Sequence, residues 1–159
     1  MVRVGFGYDS HRFVEGRPLL LAGQRIPFRY GLAGHSDADA VAHAVIDALL
    51  GAAGLGDIGT LFPDTDPAWR DADSMALLDQ VVGRLHADGW VPGNLDVTVV
   101  LETPKLGPFK AAIAEALARR LGIPVERVGV KAKTNEGMGF IGRGEGVAVM
   151  AVATVARGR

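Results

Sequence analysis

The sequence of 159 residues contains no cysteine, which excludes a disulfide framework and a thiolate metal site, so any bound metal has to rest on His, Asp and Glu. A surplus of charge is also missing. The 17 Lys and Arg against 18 Asp and Glu leave a formal net charge of -1, which offers no sequence-wide field to a nucleic-acid backbone or an anionic membrane. Neither is an expected partner. Nowhere do the roughly 18 uncharged apolar residues of a membrane span run together. The opening MVRVGFGY reads as a strand without the basic start, apolar middle and small-residue cleavage site of a secretory leader, so the cytoplasm is the expected compartment. No internal repeat, low-complexity tract or linker is visible. With 48% hydrophobic and 22% charged residues, the expectation is one ordinary globular domain over 1–159.

The elements present are mixed. Val2 to Tyr8 reads as a first strand, and Pro18 to Pro27 as two short apolar runs turning at Ala22-Gly23-Gln24. Ser36-Asp37-Ala38-Asp39 has capping-box spacing ahead of apolar residues at helical period, which predicts a helix to about Gly51. Gly54 to Pro67 is rich in Gly, Pro, Asp and Thr and cannot be regular throughout. Helices are expected over Asp73 to Ala87 and Pro108 to Leu121, and strands over Asp96 to Leu101, Val128 to Thr134 and Gly146 to Val155. That last strand is apolar at almost every position, so both of its faces need cover, which favours an oligomer.

Three groups of residues could carry chemistry. Asp9 and His11 are two apart at a strand end, so they point to one face and can grip one ion. A solvated turn carboxylate beside an unrelated histidine has the same spacing. His43 lies one helical turn after Asp39 and two after His35, and could complete a set of Asp, His and His that leaves the fourth tetrahedral position open, as a catalytic zinc site requires. Asp39 could then orient an imidazole from behind. The alternative is a satisfied histidine on the inner helix face with Asp39 as a mere cap. His35 and Ser36, at a predicted helix start, could hold a phosphate, although Ser36 as a plain N-cap would look the same. Finally, alternation in KAKTNE sets Lys131, Lys133 and Asn135 on one side and Thr134 and Glu136 on the other. Glu136 could hold a hard cation such as Mg²⁺, or be simply a surface carboxylate. The glycine segment that follows lacks the Gly-Lys-Ser/Thr of a Walker loop.

The segments GYDSHRF (7–13), HSDAD (35–39), His43, GDIG (56–59), LFPDTD (61–66) and GFIGRGEG (139–146) occur together and in order. In this the chain closely resembles the 2-C-methyl-D-erythritol 2,4-cyclodiphosphate synthases. The resemblance implies an α+β fold, a sheet with helices packed on one face, like bacterial chorismate mutase. It implies a homotrimer with active sites at the subunit interfaces and the sheets facing the threefold axis. It implies Zn²⁺ on Asp9, His11 and His43, Mg²⁺ or Mn²⁺ on Glu136 between substrate phosphates, and catalytic roles for His35, Asp39, Lys133 and Thr134. Ser36, Asp57, Gly59, Phe62 and Asp64 would bind the sugar-alcohol and phosphate parts of a cytidine diphosphate-linked substrate. Thr103, Pro104, Lys105 and Leu106 of a neighbouring subunit would surround the cytosine. Arg143 and Glu145 would lie near an axial cavity able to take an isoprenoid diphosphate. The implied reaction expels CMP from 4-diphosphocytidyl-2-C-methyl-D-erythritol 2-phosphate as the ring closes. Its rivals are a zinc phosphodiesterase or nucleotide hydrolase using the same triad, and a non-enzymatic trimeric binder of nucleotides or isoprenoids.

Overall fold

The computed structural model describes residues 1–158; Arg159, the last residue of the expected domain, lies outside the described residues. The strands are β1 (Val2–Val14), β2 (Leu19–Leu21), β3 (Gln24–Ile26), β4 (Gly31–Leu32), β5 (Trp90–Val100), β6 (Val128–Lys133) and β7 (Gly146–Arg157), and the helices are α1 (Ala40–Ala53), α2 (Ile58–Leu61), α3 (Ser74–Ala87), α4 (Lys110–Leu121) and α5 (Gly139–Gly142). The fold is mixed α+β, as the pattern of elements predicts. The five-stranded sheet runs β4-β1-β7-β5-β6, with only β5 and β6 parallel, and β2 with β3 forms the expected hairpin.

Several boundaries differ from expectation for reasons of pairing. β1 runs on past Tyr8 because β7 pairs with it in unbroken register as far as Arg12 opposite Gly146. β5 starts earlier than Asp96 because β7 also supports Trp90 to Asn94, across an irregularity at Pro92 that takes up the proline. α1 begins three residues later than the capping-box reading: Asp39, not Ser36, is the N-cap, its carboxylate accepting from Ala42 N. Ser36 Oγ instead accepts from Ala38 N in a local turn. The loop after α1 holds the short α2 and a 3₁₀ turn at Pro67–Trp69.

Alternation divides the sheet into two unlike faces. Val147, Val149, Ala151, Ala153 and Val155 of β7 and Leu95, Val97 and Val99 of β5 are buried with Leu49, Leu78 and Leu117 of the three long helices. Full burial of one such Leu contributes about 1.5–3 kcal/mol. On the other face Val2, Val4, Phe6 and Tyr8 of β1 and Val152 of β7 stand exposed, Phe6 at 61%. The helices are not confined to one face, however. Ile141 of α5 packs with Val100, Ala148 and Met150, which lie on the open face, and covers its far end. The expectation of helices on one side therefore holds for α1, α3 and α4 and fails for α5, because the glycine segment between β6 and β7 lays Ile141 on the open face.

One contact positions the site. A Cβ on Gly5 or Gly7 would come within 1.9 Å of Ala48 O or Ala44 O respectively. The bare glycines of β1 therefore let α1 lie directly on the strand, with alanines on its facing side. His43, one residue before Ala44, is lowered onto the level of Asp9 and His11.

Candidate metal and substrate site

Asp9 and His11 share the helix-facing side of β1, and His43 descends from α1. Asp9 Oδ2 lies 2.7 Å from His11 Nε2 and 3.2 Å from His43 Nδ1, and the two nitrogens are 3.4 Å apart. A tetrahedral zinc ion with ligands at about 2.0–2.1 Å sets its donor atoms roughly 3.3–3.4 Å from one another, so these three atoms are close to the spacing of one face of a coordination tetrahedron. Among the described residues this is the group of His and carboxylate side chains that converges in this way. The far nitrogen of each ring is also engaged. His11 Nδ1 donates to Ala33 O at 2.7 Å, which leaves Nε2 facing the cluster, and His43 Nε2 lies 2.8 Å from Ser74 Oγ and 3.2 Å from Ser36 Oγ.

The electrostatics agree with a preassembled group. Burial pushes the Asp9 carboxyl up, but hydrogen bonds from His11 and His43 outweigh it and hold the group below the usual carboxylate value. Burial lowers His11 in turn, while the hydrogen bond to Asp9 and its charge carry the imidazole above its usual value.

A cavity of about 370 Å³ opens beside the triad, lined by His35, Ser36, Gly59, Phe62 and Asp64 together with His11 and His43. The loop over it is tied down by Phe62 against Trp69, with ring centroids 5.0 Å apart, and by His35, whose Nε2 donates to Asp66 O at 3.2 Å while its own carbonyl accepts from Asp71 N. Arg17 reaches across to donate to Gly34 O and Ser36 O, bracketing His35. Asp57 is not part of the lining. It caps α2, where hydrogen bonds from the Thr60 hydroxyl and amide lower its carboxyl.

Two expectations are corrected here. His35 and Ser36 do not sit at a helix start, since α1 begins only at Ala40, so any anion held there would meet side chains and not a helix terminus. Asp39 does not orient an imidazole: its carboxylate is fully buried and accepts from Ala22 N, Gly23 N and Ala42 N, joining the hairpin to α1. Burial, against those three donors, pushes its carboxyl up to about 6.

The remaining residues form a second, separate group. Pro104, Lys105, Leu106, Lys133 and Thr134 line a cleft of about 70 Å³ at the end of β5 and β6. In register, Ser10 lies opposite Ala148, Ala148 opposite Val100, and Val100 opposite Lys133, so triad and cleft occupy the same end of one sheet, three strand spacings or about 14 Å apart. Thr103 is exposed beside the cleft, and Glu136 is exposed just after it at φ 52. Lys131 shares the face of Lys133 one step back along β6, where it is paired with Asp96 at 2.7 Å. Arg143 lies in neither group, and its guanidinium is paired with Glu145 at 2.9 Å.

Pattern reading missed Glu102, Ser74 and Asp37. Glu102 Oε1 accepts from Asn135 N at 2.9 Å and Gly137 N at 3.2 Å, so it holds the turn that presents Glu136. Ser74 is fully buried at the start of α3, between His43 and Asp37. No motif signals Glu102 or Ser74, and the motif that contains Asp37 gives no sign of Ser74, because the partners lie over 30 residues apart.

Comparison with known proteins adds the following. The model of the YgbB family matches residues 2–156. The 2-C-methyl-D-erythritol 2,4-cyclodiphosphate synthase of Symbiobacterium thermophilum is 59% identical over 153 residues, 96% of this chain and 98% of that protein. A solved 2C-methyl-D-erythritol-2,4-cyclodiphosphate synthase in its CDP-bound form superposes with a TM-score of 0.89 at 44% identity, over 97% of this chain and 100% of that one. The bifunctional IspDF of Campylobacter jejuni superposes with a TM-score of 0.96 at 46% identity, over 99% of this chain but only 43% of its own longer one.

Proposed function

The chain belongs to the YgbB family, alike over nearly its whole length to the synthases above, and on that premise we propose that it converts 4-diphosphocytidyl-2-C-methyl-D-erythritol 2-phosphate to 2-C-methyl-D-erythritol 2,4-cyclodiphosphate and CMP. The observation that carries this reading is the convergence of Asp9, His11 and His43 at the mouth of a cavity lined by His35 and Ser36.

An oxygen of the 2-phosphate attacks the β-phosphorus; the bond from that phosphorus to the bridging oxygen breaks, and CMP leaves with the oxygen. A phosphate monoester has its second pKa near 6, so the attacking oxygen is already charged at neutral pH and no strong base is needed. The obstacle is repulsion between two anions, and the demands on the protein are positioning and charge compensation. The donor set of two nitrogens and one carboxylate at tetrahedral spacing fits zinc, and the exposed carboxylate of Glu136 fits Mg²⁺ or Mn²⁺. Bound there, the two cations would offset the charge of the two phosphates. On the protein's side, His35 and Ser36 contact the 2-phosphate and methylerythritol part, and Gly59, Phe62 and Asp64 shape the floor and lid around the sugar alcohol, with Asp57 holding the lid's first turn. Thr134 and Lys133 address the diphosphate, and Thr103, Pro104, Lys105 and Leu106 receive the cytosine. By this chemistry the enzyme is a phosphorus–oxygen lyase.

The separation of the two groups within one chain supports a shared site. We place the triad of one protomer against the Lys133–Glu136 strand end of the next, in a homotrimer of chorismate-mutase-like architecture whose open apolar faces, with Phe6 and Val152, meet at the threefold axis. Arg143 and Glu145 then approach the axis, where an isoprenoid diphosphate is the ligand of matching charge and apolarity. No helix among the described residues is long and apolar enough to cross a membrane. A substrate with three phosphoryl groups does not cross one unaided, so the cytoplasm, where such a substrate would be made, is the proposed compartment.

The test is incubation of the purified protein with this substrate, Zn²⁺ and Mg²⁺, followed by ³¹P NMR, with sedimentation for the mass. Cyclic diphosphate plus CMP, from a trimer, is the expected outcome. Linear methylerythritol bisphosphate plus CMP would instead identify a hydrolase.

A further inference from the structure

The far side of His43 is built as carefully as the side that faces Asp9. Its Nε2 lies 2.8 Å from the hydroxyl of Ser74, and that hydroxyl in turn donates to Asp37 Oδ1. Asp37 is itself fixed by two backbone amides, Ser74 N on Oδ2 at 3.0 Å and Asp39 N on Oδ1 at 3.1 Å. Ser74 is fully buried, so no water competes for its single proton.

The proton count leaves one arrangement. A carboxylate only accepts, so Ser74 must use its one O–H on Asp37 and can only accept from His43. His43 Nε2 therefore carries a ring proton, and Nδ1, 3.2 Å from Asp9 Oδ2 and 3.4 Å from His11 Nε2, is the nitrogen turned to the cluster, donating to Asp9 in the metal-free protein and able to give its lone pair to a metal ion that displaces that proton. The Ser36 hydroxyl, 3.2 Å from the same nitrogen and already accepting from Ala38 N, lies 3.4 Å from Ser74 Oγ and can donate only toward it within this group, since the Ser74 proton is spent on Asp37.

We propose that Ser74 and Asp37 are positioning residues of the metal centre, a hydrogen-bonded relay that fixes His43 as an Nδ1 ligand. Ser74 opens α3, immediately after the loop over the cavity, so the relay also ties the end of that loop to the metal ligand. The inference rests on the metal reading of the triad given above. Partners of this kind behind a metal-bound imidazole are commonly worth 10–100-fold in metal affinity.

The decisive measurement is zinc affinity of the folded, metal-free protein by competition with a chromogenic chelator, with Zn²⁺ alone as probe. Ser74→Ala is expected to bind zinc about 10–100-fold more weakly than wild type. Asp37→Asn, which keeps the volume and serves if Ser74→Ala does not fold, is expected to weaken it in the same direction. A merely structural serine would lower the melting temperature of the metal-free protein and leave zinc affinity unchanged. In the zinc-loaded wild type, ¹⁵N-labelled histidine should show His43 protonated on Nε2 and bound through Nδ1. Unchanged affinity in both variants, or coordination through Nε2, overturns the proposal. Failure of the wild type to take zinc at all would be a different result, removing the metal reading itself and this inference with it.

Discussion

Two regions at the same end of one sheet are made in opposite ways. The triad end is half-buried, assembled from one strand and one helix, with its side chains already touching and its charges already shifted. The Lys133–Glu136 end is exposed, and what orders it is backbone: Glu102 grips the amides of Asn135 and Gly137, while the Lys133 and Glu136 side chains point outward. The difference separates a group of side chains that converge within one chain from a strand end whose side chains stand free in the single chain. A cation-binding cluster gains from pre-organisation, because side chains already held together need not be ordered when the ion arrives. A phosphate-binding strand end need only be held at the right height.

The largest expected effect breaks the first region alone. His43→Ala should remove zinc binding and reduce turnover by about 10³-fold, the scale of losing a cation that compensates phosphate charge. Glu136→Gln should also lose turnover while zinc affinity stays at the wild-type value. Turnover by ³¹P NMR beside chelator competition checks both, and loss of zinc in Glu136→Gln would mean that the two regions are one.

Next comes the seam beneath the triad. Gly7→Ala forces a Cβ toward Ala44 O, 1.9 Å away in the present packing, and should cost about 1–3 kcal/mol in denaturant unfolding while weakening zinc binding by raising His43 off β1. Unchanged zinc affinity would show that the close packing of α1 does not set the cluster. In the second region, Glu102→Ala leaves two amides without their acceptor and should cost about 1–3 kcal/mol. It should weaken Mn²⁺-dependent activity and spare zinc affinity, and equal losses of both would erase the contrast.

The smallest effect is a pH dependence confined to the metal-free protein. Asp9 is depressed below 3.8, so its contribution is present above that value and is lost as pH falls through the folded value. His11 is raised above 6.5, so its contribution is complete below 6.5 and fades as pH rises through its folded value. The pair should therefore stabilise most between 3.8 and 6.5. Urea unfolding across pH should show that maximum in wild type and a flatter profile in Asp9→Asn.

Much of this was legible beforehand. Alternation put Asp9 and His11 on one face, helical spacing offered His43, and the spans of α3, α4 and β6 came within two residues. The doubly apolar β7 called for cover on both faces; in the single chain one face is packed against the helices and Val152 on the other is 40% exposed. Other readings failed for a common reason. Asp39 has the spacing of an imidazole partner, yet its carboxylate turns to the amides of Ala22 and Gly23, since a buried carboxylate goes wherever the most N–H donors converge. Ser36 looks like a cap, but the turn at Ala38, with φ 58, delays the helix to Ala40.

The sequence by itself determined periodicities: which residues share a strand face, which share a helix stripe, and that the metal donors can only be nitrogen and oxygen. Tertiary structure decided who meets whom. It took two bare glycines to bring α1 onto β1, a buried serine from α3 to claim the back of His43, and three strand spacings to separate the triad from Lys133. Local pattern follows from backbone geometry, which each residue carries with it. Contacts between distant residues follow from packing and from the need of every buried polar group for a partner, and those depend on the whole chain at once.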